Sequence, residues 1–419
     1  MTERSRTVLA CAWVLAFAMY CSLLCIPPIV DIIKAEMHVS YAAVGFLFSL
    51  PLVMIVAIAI PGGRLGDRIG TRRAIAIGAV LMAIGALARG ASTTFGSLLV
   101  CTGLFGVGFS VIFPNLPKLV GLWFPPEKVG TATGFVTTGV TVGGATALAV
   151  ALPVVFPLFG TLQSTFFILG LPAALGAVLW LILARDPVGA LGSDAHRDSA
   201  QGAERAGDPL WKNGHVWLVA ALLFLNCLHF FVWTAWTPTL LMRKGASGQI
   251  ASLIASSRGW FSIPAMFFMP WASYRMGFRK PFMWGSGLLL IVASLSAIYT
   301  PAWTGWVLMA IVGFTTGGTF PMILALTTEL FPRESAGAST GMVLSLGYTA
   351  AFVGPWVAGR ILDATGSLDL VLVLLAISGA AWVLVGFAMP ETGRPVEWKN
   401  VCREEKGTWR TRDKPEVMK

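Results

Sequence analysis

Charge is what this chain has least of. Only 12% of its 419 residues are Asp, Glu, Lys or Arg, about half of what a soluble domain carries. Hydrophobic residues make up 56% and the mean hydropathy is +0.76. This excludes an ordinary water-soluble enzyme, and also a disordered chain, whose composition is the reverse. Histidine is scarce, with four in the chain, and the six cysteines (Cys11, Cys21, Cys25, Cys101, Cys227 and Cys402) form no CxxC or metal-ligand spacing. Five lie in apolar stretches and read as small core residues. No metal or other cofactor is expected. No GxxxxGK[ST] loop is present, so drive by ATP is not encoded. The basic excess of +10 sits in short clusters between apolar runs, with no aromatic interleaving or binding motif, which argues against nucleic acid.

What is present is a series of apolar runs. A span needs roughly 20 apolar residues to cross about 30 Å of hydrocarbon. Such windows fall at 8–30, 40–62, 73–93, 96–121, 130–157, 161–184, 215–242, 249–271, 281–300, 303–328, 336–361 and 367–389. The first resembles a signal peptide but runs on without a small-residue cleavage site, so it reads as a retained span. The expected class is an all-α membrane protein of twelve transmembrane helices. Its expected parts are an N-terminal six-helix bundle over 1–184, a cytoplasmic linker over 185–214, a C-terminal bundle over 215–389 and a charged tail over 390–419. With the N-terminus inside, only Lys34, Arg89, Arg243, Lys244 and Arg360 fall in outer loops, and Lys118 and Arg258 within spans. Every other basic residue is inside, which predicts a multi-pass protein of the cytoplasmic membrane with both ends cytoplasmic.

The halves repeat. Phe113, Pro114, Phe124, Pro125, Glu127, Gly130 and Gly134 match Phe320, Pro321, Phe331, Pro332, Glu334, Gly337 and Gly341 at a constant offset of 207 residues. At that offset Arg68, Gly70, Arg72 and Arg73 fall on Arg275, Gly277, Arg279 and Lys280. One offset held across two loops predicts two parallel six-helix repeats.

The loop after span 2, GGRLGDRIGTRR (Gly62 to Arg73), resembles the inner-loop signature of the major facilitator superfamily. Gly63, Leu65, Gly66, Asp67, Arg68, Gly70, Arg72 and Arg73 fit it, and Thr71 stands where the family often has Arg. The resemblance covers essentially the whole chain. It implies a fold in which spans 1, 4, 7 and 10 line a central cavity, assisted by 2, 5, 8 and 11. It also implies an inner latch in which Asp67 pairs with basic residues and the positive start of span 11, near Ser335 to Gly337. For Arg72 and Arg73 a solvated loop charge is the better reading. Span 11 (Ser345 to Ser367) and the segment WTAWTPTLLMRKGAS (Trp233 to Ser247) resemble the cyanate/2-nitroimidazole porter family, with Thr237 in place of a Leu. The stretch around Phe124 to Lys128 resembles organic-anion symporters of the anion:cation type. All three imply small, mostly anionic solutes.

Among the residues at mid-depth, carboxylates are missing: all twenty Asp and Glu fall in loops, tails or at span ends. That argues against a cation exporter. Arg258 stands about nine residues into span 8, roughly 14 Å from its outer end. A guanidinium there costs at least about 2.5–3.5 kcal/mol unless it meets water, a partner or an anion. Its fork suits a carboxylate or similar planar anion; bonds to backbone carbonyls, or a shifted span boundary, are the alternatives. Lys118 reads either as an inner-gate guide for anions or as a positive-inside anchor. Asn226, His229 and Trp233 share one face of span 7. His229 is a substrate contact, the one evident mid-membrane proton carrier, or the donor of one structural hydrogen bond. Tyr20 and Tyr348 can donate to an anion or to a carbonyl. Thr137, Thr138, Thr141, Thr315 and Thr316 back-bond to their own helices, and the pairs Gly103/Gly106 and Gly139/Gly143 serve close helix packing.

The expected function is a secondary transporter, acting as a monomer in lipid, that moves a small anionic solute by rocker-switch alternating access. The alternatives are a monocarboxylate-type proton symporter, an exporter of a neutral solute, and a non-transporting sensor on the same fold. An intramembrane enzyme lacks a nucleophile–base pair at depth.

Overall fold

A computed structural model of the chain describes residues 3–185, 213–331 and 333–392. The linker expected over 185–214 and the tail over 390–419 lie almost wholly outside the described residues. Within them the chain is helical from end to end, as its apolar periodicity requires, because a spanning segment must satisfy its own backbone in hydrocarbon. Span 1 runs Glu3–Leu23, breaks through a 3₁₀ turn at Pro27–Ile29 and resumes over Val30–Met37. Spans 2 to 5 are Tyr41–Ile69, Thr71–Ala88, Phe95–Trp123 and Pro126–Val150; the last continues through a π-helical turn at Ala151–Val155. Span 6 is Leu162–Leu183 and span 7 is Gly214–Arg243. Spans 8 to 12 are Gly248–Met276, Lys280–Tyr299, Gly305–Glu329, Arg333–Thr365 and Asp369–Ala388.

Eleven of these helices are long and apolar enough to cross a membrane by length and composition. The twelfth, span 8, is 29 residues long but carries Arg258, Arg275 and a run of serines, which lower its hydropathy. It is the helix whose buried face is the most polar.

Helix starts are set by side-chain caps. Ser40, Thr94, Thr161 and Ser247 each accept from a backbone N–H three residues on, at the heads of spans 2, 4, 6 and 8. The turn between spans 2 and 3 passes through Gly70 at φ 91°, a conformation that strains any side chain. Small residues let helices meet. A Cβ on Gly143 would strike the Phe17 carbonyl oxygen at 2.1 Å, and one on Gly106 the Cα of Pro51 at 2.8 Å. Gly103, by contrast, has room for a Cβ.

Spans 1–6 and 7–12 repeat one packing pattern. Span 1 lies on 5, 2 on 4 and 3 on 6, and correspondingly 7 on 11, 8 on 10 and 9 on 12. The halves meet through spans 2 and 11 and through spans 5 and 8, pairs that the same pseudo-twofold exchanges. This layout agrees with two parallel repeats. We call the face carrying residue 3 the N-face.

The far face is closed. Asp363, at the end of span 11, accepts from the backbone N–H groups of Tyr41 and Ala42, both at 2.8 Å. A carboxylate of one half thereby caps the positive end of span 2 in the other. Tyr41 donates its hydroxyl to Asp31 at 2.8 Å, and Arg243 reaches both that hydroxyl and the Gly366 carbonyl. Trp236 donates to the Pro355 carbonyl at 3.1 Å. Two glycines bring the halves into contact: a Cβ on Gly45 would meet the Pro355 carbonyl oxygen at 2.6 Å, and one on Gly359 the Tyr41 carbonyl oxygen at 2.7 Å.

One expectation about this face needs correction. Arg89, counted as an outer-loop charge, is 1% exposed. Its guanidinium donates to the Ser22 carbonyl at 2.7 Å and lies 4.1 Å from the centre of the Phe105 ring. Span 1 breaks just beyond Ser22, and the freed carbonyl needs a donor in a dry site.

Candidate functional site

Between the halves a cavity of about 520 Å³ lies toward the N-face, walled by spans 1, 2, 4, 5, 10 and 11. Tyr20, Thr137, Val140, Phe320 and Tyr348 are shared with a deeper, smaller cavity of about 90 Å³. Spans 1, 5, 7, 8, 10 and 11 contribute to this inner chamber. Span 4, expected at the centre, faces only the larger one.

Among the described residues, Arg258 is the only charged one lining either cavity. Span 8 carries it inward on a face with Ala255, Ser262 and Ala265, all buried. The residue is 3% exposed, and its guanidinium lies 4.0 Å from the centre of the Phe230 ring on span 7. Its Nε and Nη1 atoms are buried without a hydrogen-bond partner among the described residues. The aromatic face attracts the cation and holds the guanidinium plane, but supplies no counter-charge. The chamber thus holds a desolvated, oriented, uncompensated positive group.

Two other expected residues join it. Tyr20 and Tyr348 line both cavities, one from each half. Asn226 lines the chamber, but its amide donates to the Thr316 carbonyl and the Thr319 hydroxyl, both at 2.9 Å. It therefore fastens span 7 to span 10.

Three expectations are redirected. His229 is fully buried but lines neither cavity. Its Nε2 meets the Ser378 hydroxyl at 3.0 Å and its ring stands edge-on to Trp382, at 6.1 Å between centroids. It faces span 12, as the structural alternative requires. Trp233, on the same stripe, also lies away from the chamber. Helix rotation explains this: Asn226 and Phe230, i and i+4, face inward, and residue 229 lies a third of a turn away. Lys118 likewise lines neither cavity. It donates to Asp67 at 2.7 Å and to the Gly63 carbonyl at 3.0 Å.

Among the described residues, the contacts of the Gly62 to Arg73 segment fall within one half. Asp67 pairs with Lys118 of span 4, and the side chains at the start of span 11, its expected partner, lie outside the described residues. Gly63 leaves room for the lysine beside it, at 3.6 Å from an added Cβ. Arg72 donates through Nε to the Ala184 carbonyl at 2.6 Å, pinning span 3 to the end of span 6 rather than standing free in water. Arg68 is exposed. Sequence reasoning missed Phe230, whose i+4 spacing from Asn226 was the available signal. It also missed the Asp363 cap, for which no local pattern exists.

Comparison with known proteins agrees with this architecture. The model of the Major Facilitator Superfamily matches residues 12–256 and 241–412. An uncharacterized transporter of Bacillus subtilis (strain 168), YycB, is 28% identical over 91% of this chain and 92% of its own length. The 2-nitroimidazole transporter of Escherichia coli (strain K12) is 26% identical over 86% of this chain and 89% of its own, and the cyanate transport protein CynX of the same organism 22% identical over 86% and 92%. Among solved structures, a D-xylose–proton symporter superposes with a TM-score of 0.76 at 18% identity, covering 94% of this chain and 99% of that one. Among the described residues, twelve long helices in a repeated six-and-six packing, the glycine-rich segment Gly62 to Arg73, which the structure makes the helical end of span 2 and the start of span 3 rather than the loop expected, and a family match across both halves identify this chain as a member of the Major Facilitator Superfamily.

Proposed function

We propose that this transporter moves a small anionic solute across the cytoplasmic membrane, and that Arg258 is the group that recognises it. One observation carries the reading. A desolvated guanidinium lines the inner chamber with two nitrogen atoms unpartnered and, among the described residues, no carboxylate on either cavity wall. Leaving a buried charged group unpaired is costly, and an arriving anion removes that cost while gaining two parallel hydrogen bonds. The relatives named for cyanate, hexuronate and galactarate/D-glucarate support an anionic cargo.

Binding at this place couples to alternating access. The N-face, cytoplasmic by the distribution of basic residues, is the open side of this state, and the closed far face opens when span 2 parts from span 11. The solute sits at the junction of the halves, between Tyr20 of one and Arg258 and Tyr348 of the other, so its release and the rocking of the halves share one contact surface. Asp67 and Lys118, on the N-face, belong to the region that must close in turn.

The experiment is counterflow in proteoliposomes with cyanate, lactate, oxalate and nitrate beside uncharged 2-nitroimidazole. Arg258→Gln abolishes anion counterflow while the protein remains inserted and monodisperse. Unchanged anion affinity in that variant removes Arg258 from recognition, and exchange of 2-nitroimidazole alone reassigns the protein to neutral solutes.

A further inference from the structure

The inner chamber has few hydrogen-bond donors left to offer. Besides the tyrosines and Arg258, its polar wall residues are Thr137, Thr141, Asn226, Ser262 and Thr316, and all of them are engaged. Thr137 donates to the Thr133 carbonyl at 2.9 Å, Thr141 to the Thr137 carbonyl at 3.5 Å and Thr316 to the Val312 carbonyl at 2.6 Å. Ser262 reaches the carbonyls of Arg258 and Gly313 at 3.0 and 2.9 Å. Asn226 gives its amide protons to span 10. The Tyr20 and Tyr348 hydroxyls carry the remaining phenolic protons of the wall. The rest of the wall is apolar and largely aromatic: Val140, Phe230, Phe231, Met266 and Phe320 among others.

We infer that the cargo is a monoanion with a compact, flat, apolar body, of the benzoate type, and that polyhydroxylated sugar acids are excluded. This rests on the anion reading of Arg258 and narrows it. The guanidinium and the phenols of Tyr20 and Tyr348 match one carboxylate. A flat apolar body gains by leaving water and by packing against the rings. A sugar acid would bring several hydroxyl oxygens to a wall whose donors are already engaged, and each such acceptor left without a donor weakens binding by about tenfold. The relatives named for hexuronate and galactarate/D-glucarate would then differ from this chain in the polar capacity of the same region.

The test is saturable binding and counterflow with purified full-length protein in liposomes. The probes are benzoate, its neutral counterpart benzamide, the small anion acetate, and the polyhydroxylated monoanion galacturonate. Benzoate is expected to bind in the millimolar range or tighter and to exchange, with each of the others weaker by about tenfold or more. Galacturonate or acetate matching benzoate overturns the inference and leaves the anion reading standing. Benzamide matching benzoate overturns the anion reading itself. Absence of saturable benzoate binding overturns the inference. A second variant reads the donor shortage directly. Met266→Gln adds a free amide to the wall, and galacturonate binding should improve by about tenfold over wild type. No improvement in a protein whose melting profile is unchanged shows that donor shortage does not exclude sugar acids.

Discussion

At the scale of single residues, the inner chamber separates side chains that act on a solute from those that hold helices. Phe230 is the platform of Arg258, and a desolvated cation–π contact is worth about 2 kcal/mol. Phe230→Leu keeps an apolar side chain but loses the aromatic face. The half-saturating anion concentration in counterflow should rise by about tenfold, with expression unchanged. His229 is the opposite case. With its ring nitrogen on Ser378 and its edge on Trp382, His229→Ala should destabilise the protein by about 1–3 kcal/mol through the hydrogen bond it removes and the space it leaves. Its transport should keep the wild-type pH profile. Thermal melting in detergent and pH-dependent uptake check the two halves of that statement, and a flattened pH profile would return His229 to proton coupling.

At the scale of elements, the exchange of states depends on helix ends. The Asp363 carboxylate caps span 2 across the boundary between the halves, and charge-assisted bonds to backbone N–H groups are worth about 1.5–3 kcal/mol. Asp363→Asn should therefore shift the population toward the state open on the far face. Distances between spin labels on the far ends of spans 2 and 11 should lengthen. The Asp67–Lys118 pair is different, because both side chains are partly exposed and such pairs are worth about 0–1 kcal/mol. Asp67→Asn should leave the melting temperature almost unchanged while slowing transport, since its expected importance lies in the state closed on the N-face. Wild-type transport in that variant would remove the latch. Arg89 shows how an element end can demand a charge. Its Nη1 donates to the Ser22 carbonyl freed at the broken end of span 1.

At the scale of the whole molecule, two glycine contacts permit closure of the far face. Gly359→Val would drive side-chain carbon into the Tyr41 carbonyl, which an added Cβ already meets at 2.7 Å. The halves could then not close there. The expected outcome is loss of counterflow, together with protection of a Ser345→Cys label in the N-face vestibule from impermeant thiol reagents. Labelling at the wild-type rate would show that this contact does not govern closure.

Much of this was legible in the chain. Span number and the six-and-six division followed from hydropathy and from one repeated offset, because hydrocarbon thickness fixes helix length and a duplicated fold keeps its loops in register. The family followed from the resemblance of Gly62 to Arg73 to its signature. The isolation of Arg258 was legible too, since a count of carboxylates along an apolar chain needs no coordinates. Which way a side chain points was not. A 3.6-residue period places Asn226, His229 and Trp233 on one stripe, but when every face of a helix is apolar nothing in the pattern says which neighbour each edge of that stripe meets. Only tertiary packing turned His229 to span 12, Phe230 under Arg258, Arg89 into the break of span 1 and Asp363 onto a helix in the other half. Each of those contacts joins residues far apart in sequence, and only the folded arrangement of the helices sets the distances and dielectric on which their energies depend.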